Sequence, residues 1–238
     1  MATRARPVPS VWARQPSEPQ QPTLSRASIV REAIAMLDAE GAEALSMRKL
    51  GTRLNAGATS LYRHVATKDE LLELAVDEVF GELEVPGLSG RQWRATAAEA
   101  AYAFRAMALR HPWLPPTLGQ AGLAYLGPNL MSFADRLAAL FTKAGFPEPS
   151  GAIDTLLSYV IGISTTEAAW LSTVARSGET EADLIARLVP TARRAAADYT
   201  YFLQTAPDIN IDPAGIRERK FAYGLQVVLD GLQTRIDR

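Results

Sequence analysis

Two short helix-forming runs joined by Asn55-Ala56-Gly57 constrain this chain more than any other feature. Before the joint, Met47, Leu50 and Leu54 recur at spacings of three and four, and Ser46 stands where an N-cap belongs. After it, Leu61 and Val65 lie four apart and are predicted to face inward. Ser60, Tyr62, Arg63 and His64 are then left off the buried face. Asn and Gly tolerate positive φ better than other residues, so Asn55 and Gly57 suit a tight turn. The second run is too short to hold as an isolated helix, which needs about 12–15 residues. Its neighbours must hold it, and what it presents outward is a polar cluster. Helix, tight turn and short helix with an exposed polar face is the helix-turn-helix layout.

The flanking text completes a small bundle. Ile29, Ala33, Ile34 and Leu37 form one apolar helix face, and Gly41 is placed to end that helix. Thr67-Lys68-Asp69-Glu70 has capping-box spacing and opens a continuous helix from Thr67 to Phe80. Downstream, strand signals are almost absent. Helical patterns run through about 93–110, 128–144, 151–175, 181–204 and 214–236, with breaks at 112–116, 145–147, 177–178 and 207–213. The expected fold is all-α: an N-terminal three-helix helix-turn-helix domain joined by a linking helix to a larger C-terminal helical bundle. Residues 1–22 hold five of the fifteen prolines and three arginines, Arg4, Arg6 and Arg14, a composition that cannot build a core and reads as a disordered arm. The expected division is an arm over 1–22, a helix-turn-helix domain over 23–70 and a larger helical domain over 71–238.

Charge divides along the same line. The 238-residue chain is nearly neutral at −1, yet residues 1–68 carry a balance of +5 and residues 69–238 a balance of −6. A basic head on an acidic body suits a polyanionic partner. With no Cys and only His64 and His111, thiolate zinc and His-rich metal sites are excluded, and no cofactor is expected. No apolar run reaches the roughly 18 residues of a membrane helix, and the N-terminal residues lack the apolar core of a secretory signal, so a cytoplasmic protein with no membrane partner is expected. An enzyme is not expected: G-x-S-x-G, P-loop, dinucleotide and H-E-x-x-H motifs are all missing.

Residues 24–80 resemble the DNA-binding domain of the tetracycline-repressor (TetR) family. The matching text is ALSMRKLGTRLNAGATSLYRHVATKDELLELAVDEV, with Leu61-Tyr62, His64-Val65 and Lys68 in unbroken register. The C-terminal part is similar to metabolite-sensing members at Arg110-His111-Pro112-Trp113, Leu126-Gly127-Pro128 and Gly145-Phe146-Pro147. The resemblance implies a homodimeric repressor that leaves a double-stranded DNA operator when a small-molecule inducer enters the C-terminal bundle. It adds DNA binding for the domain over 23–70, and ligand binding and dimerisation for the domain over 71–238. It places Arg48, Thr59, Ser60, Tyr62, His64 and Lys68 at DNA-contact positions, with Arg63 beside them where the tetracycline repressor has an aromatic residue. Arg48 suits bidentate pairing with guanine, and Tyr62, His64 and Lys68 suit phosphate oxygens. The arm's arginines suit a minor groove, and Val11-Trp12 is out of place in a solvated tail.

In the C-terminal part, Trp93, Phe104, Met107, Trp113, Phe133, Tyr159 and Trp170 are candidates for pocket walls or for ordinary core. Thr165, Thr166 and Glu167 interrupt an apolar helix; Glu167 either touches ligand, faces solvent or pairs with an arginine. The candidate ligand set is Trp113, Tyr159, Thr166, Glu167 and Trp170, and its flat surfaces suit an apolar, ring-bearing molecule. Gly224 and Gly231, beside Leu225, Val228, Leu229 and Leu232, permit close helix approach at a dimer interface or within one subunit. The competing reading is an all-α small-molecule-binding protein or enzyme without DNA function, which leaves Arg48 and the exposed cluster unexplained.

Overall fold

The computed structural model describes residues 24–83, 93–118, 126–205 and 212–236, and every element within them is helical. The arm residues Arg4, Arg6, Arg14, Val11 and Trp12 lie outside the described residues. Helix α1 spans Arg26–Glu40; Ser25 caps it in a reciprocal capping box with Ser28, and Gly41 ends it at φ 81°. A 3-10 turn, Ala42–Ala44, leads to α2, Met47–Arg53, whose N-cap Ser46 accepts from the Lys49 amide. Helix α3, Ala58–Leu61, is a single turn, and α4 spans Lys68–Phe80. These four helices share a core of Ile29, Ala33, Leu37, Leu50, Leu61, Val65 and Leu71.

The turn between α2 and α3 is tight for two separable reasons. Asn55 takes φ 51°, the left-handed conformation its side chain tolerates. Gly57 does not share it: its φ is −67°, contrary to expectation, and it serves as the N-cap of α3. The close approach is made at Gly51 instead. A Cβ there would lie 2.7 Å from the Ala56 carbonyl oxygen, so only glycine lets α2 meet the turn. The Thr67 cap also differs in detail from a capping box. Thr67 accepts from the Glu70 amide, but the Glu70 carboxylate reaches back to the Ala66 amide at 2.6 Å rather than to Thr67.

The body contains α5, Trp93–Arg110; α6, Leu114–Leu118; α7, Pro128–Lys143; α8, Pro149–Ser177; α9, Glu181–Ala195; α10, Thr200–Thr205; and α11, Pro213–Ile236. Two outcomes differ from the sequence pattern. The break at 112–116 closes into the one-turn α6, because Pro115 and Pro116 fall in its first turn, where amide donors have no helical partner. The run 181–204 divides into α9 and α10 at residues 196–199, where Ala196 turns inward and is buried. No described helix is long and apolar enough to cross a membrane.

Helix α4 belongs to both parts. Its first turns pack on α1, and its last residue, Phe80, meets Phe104 of α5 and Phe133 of α7 edge-on. Asp77 also caps the following bundle helix: its Oδ1 accepts from the Asn129 and Leu130 amides at 2.9 and 3.0 Å. A carboxylate at a helix N-terminus is favoured by unsatisfied amides and by the helix dipole. Gly127 makes room for it, since a Cβ there would overlap the Asp77 side chain.

Candidate nucleic-acid interface

Helix α3 is held from below and offered outward. Leu61 is 0% exposed and Val65 1%, while Tyr62 between them is 50% exposed. Thr59 and Arg63 are exposed, and Ser60 and His64 are half-buried. Arg48 is exposed on α2, and Lys68 is exposed at the first position of α4. The structure therefore places the seven sequence-predicted residues on α2 (Arg48), on α3 (Thr59, Ser60), in the turn that follows it (Tyr62, Arg63, His64) and at the start of α4 (Lys68). A brace not foreseen from sequence fixes the far end of α3: Arg26 of α1 donates through Nε to the His64 carbonyl oxygen at 3.3 Å.

Ion pairing separates the head's cations into two groups. Lys49 pairs with Glu40, and Arg53 pairs with Glu32 at 2.5 Å and Glu40 at 3.6 Å. Arg48, Arg63 and Lys68 form no side-chain ion pair or hydrogen bond among the described residues. Their charges are uncompensated, extended into solvent and flanked by the donors Thr59, Ser60 and Tyr62. Such a surface suits phosphate oxygens and base edges.

In the body, the sequence-predicted ligand residues do not form one wall. Trp113 is buried at the junction with the head, where its Nε1 donates to Asp38 of α1 at 2.7 Å. Thr166 lies on the exposed side of α8, its hydroxyl donating to the Ile163 carbonyl at 2.8 Å. Tyr159, Glu167 and Trp170 do join through one network. Arg105 of α5 donates to both oxygens of Glu167 at 2.8 Å and to Glu218 at 2.6 Å, and lies over the Phe221 ring. Arg217 of α11 also reaches Glu167, at 3.1 Å, and pairs with Glu181, which accepts from Trp170 Nε1 at 2.6 Å. Tyr159 donates to the Phe221 carbonyl at 2.7 Å. The Glu167 hydrogen bond raises the Arg105 pKa further, outweighing its burial. Of the alternatives open for Glu167, the arginine partner is present, and it is double. Trp93, Phe104, Met107 and Phe133 are core or packed against core. Gly224 admits the Tyr159 ring within the subunit, whereas Gly231 has open space beside it.

An exposed polar surface with unpaired cations, carried by a helix-turn-helix head whose last helix also packs on a helical body, is the arrangement of a DNA-binding regulator. Comparison with known proteins agrees. The family described as bacterial regulatory proteins, tetR family, matches residues 29–75, and the tetracyclin repressor-like C-terminal domain matches residues 85–236. An HTH-type transcriptional regulator of Saccharopolyspora erythraea is 37% identical over 94% of this chain and 91% of its own. The HTH-type transcriptional repressor DrrR1 of Streptomyces coeruleorubidus is 32% identical over 98% of this chain and 86% of its own. The Streptomyces coelicolor TetR family protein ActR, solved in complex with actinorhodin, superposes with a TM-score of 0.71 at 29% identity, covering 89% of this chain and 96% of that one. The chain belongs to the TetR family of helix-turn-helix transcriptional regulators.

Proposed function

We propose that this protein is a repressor whose two copies read a near-palindromic operator and leave it when a small apolar or aromatic molecule binds the body. Arg48, Thr59, Ser60, Tyr62, Arg63, His64 and Lys68 carry the DNA contact: Arg48 reads a base pair, and Tyr62, His64 and Lys68 hold phosphates. The observation that carries this reading is the contrast between paired Lys49 and Arg53 and unpaired Arg48, Arg63 and Lys68. The units are the arm over 1–22, the head over 23–70 and the body over 71–238. Since the partner is chromosomal DNA, the protein works in the cytoplasm, and regulation rather than catalysis is its task.

The ligand region is the part of the body around Tyr159, Glu167 and Trp170, with Trp113 and Thr166 at its margins. The ActR–actinorhodin complex supports small-molecule binding by a body of this shape. The outer row of α11, Tyr223, Val227 and Gly231, is exposed and free of neighbours at Gly231, which suits a second copy. Fluorescence anisotropy with DNA flanking the protein's own gene tests the proposal. Binding with a dimer stoichiometry, strongly reduced by raised salt, is expected. Salt-insensitive or absent binding to every flanking segment would favour the ligand-binding protein without DNA function.

A further inference from the structure

The head also meets the body at a place the DNA surface does not use. His111 closes α5 and is 7% exposed. Its Nδ1 lies 2.7 Å from Asp38 Oδ1, in the last turn of α1, and its Nε2 lies 3.1 Å from Glu82 Oε1, just beyond α4. Carboxylate oxygens only accept, so making both contacts requires both ring nitrogens to donate, which is the protonated imidazolium. The surrounding groups are accounted for on every side. Asp38 also accepts from the Trp113 indole, and the other Glu82 oxygen accepts from Arg110 at 2.7 Å.

Beside this contact the two parts are not flush. A groove of about 620 Å³ is lined by Leu37, Asp38 and Glu43 of the head and by Trp113, Leu171 and Arg176 of the body. The head is thus joined to the body by α4 and, at the edge of the groove, by Asp38, which holds both the His111 imidazole and the Trp113 indole. We infer that His111 is a charge-dependent clasp that fixes the angle of the reading head against the body, closed while the imidazolium bridges Asp38 and Glu82 and loosened when it becomes neutral. A neutral ring donates from one nitrogen only, so its other lone pair faces a carboxylate and that contact is lost. Burial lowers the His111 pKa, but the hydrogen bond and charge of Asp38, joined by Glu82, outweigh it and hold the pKa above the ordinary imidazole value. The clasp therefore opens on the alkaline side of that value.

Because the chain has no Cys, spin labels can be placed at Thr52→Cys on α2 and Asp154→Cys on α8 alone. Diluting labelled with unlabelled chains leaves only intrachain distances, and no DNA is needed, so failure of the clasp is distinct from failure of the DNA reading. At about pH 6 one narrow distance distribution is expected, broadened or shifted at about pH 8.5. His111→Gln should give the broad or shifted distribution at both pH values. Asp38→Asn, which keeps an acceptor for Trp113, should also lose the pH response and serves if His111→Gln does not fold. An unchanged wild-type distribution between the two pH values, or a wild-type pH response in both variants, would overturn the clasp.

Discussion

Leu61 and Val65 decide which way residues 59–64 face, and the neighbours Glu32 and Glu40 decide which cations remain available. Removing an available cation, or the exposed Tyr62 beside it, should act on DNA and not on folding. Lys68→Ala and Tyr62→Ala are expected to weaken binding to all DNA sequences alike, with Lys68→Ala reducing the salt slope by about one. Thermal melts of both variants should match the parent. Glu167 belongs to the opposite class. Its replacement by Gln removes the buried anion between Arg105 and Arg217, but these keep Glu218 and Glu181 as partners, so the cost is that of weakened buried hydrogen bonds, about 1–3 kcal/mol, rather than that of a stranded charge. Denaturant unfolding of Glu167→Gln should register a loss of that order, and an unchanged midpoint would remove Glu167 from the framework and return it to the ligand. The outward face of residues 59–64 was legible in sequence because the signal is local: two apolar residues four apart and a turn. Arg105 was not, since its partners Glu167 and Glu218 stand 62 and 113 residues away, on other helices.

At the level of elements, α4 is the mechanical connection. It packs on α1 at one end and caps α7 with Asp77 at the other, so it is in contact with both the head and the body. Asp77→Ala should cost about 1–2 kcal/mol, the usual worth of a capping side chain. Gly127→Ala, which forces the same carboxylate out of place, should destabilise comparably, and the double variant should lose less than the sum of the two. Strict additivity in denaturant melts would show that Gly127 does not act through Asp77. Continuous helix from 67 to 80 was readable from periodicity and the Thr67 cap. The cap of α7 was not, because Asp77 precedes Asn129 by 52 residues and nothing in its local spacing marks it. The division of α9 from α10 was also hidden, because the alanines around 195–197 favour helix.

Across the whole molecule, the charge division of the sequence corresponds to a division of labour, with unpaired cations on the head and a paired ionic network inside the body. Stability should also depend on pH through the junction. His111 is raised, so its contribution is complete below the ordinary imidazole value and lost as pH rises through the raised one. Glu82 is lowered: burial raises it, but Arg110 and His111 together prevail, so its contribution is present above the ordinary carboxylate value and lost as pH falls through the depressed one. Melting temperature should therefore pass through a maximum between the two, and His111→Gln should flatten its alkaline side.

The central claim is that the α2–α3 surface reads DNA, base by base at Arg48, in a pair of copies. Quantitative footprinting of the gene-flanking DNA with the parent protein and Arg48→Ala tests it most directly. Two protected half-sites related by a near two-fold and about 34–36 Å, or a multiple, apart are expected. Arg48→Ala should relax discrimination at one symmetric base-pair position by about 1–3 kcal/mol and leave the other positions as they were. Tight protection of a lone half-site by a single copy, or a uniform loss of affinity for every sequence in Arg48→Ala, would contradict the account.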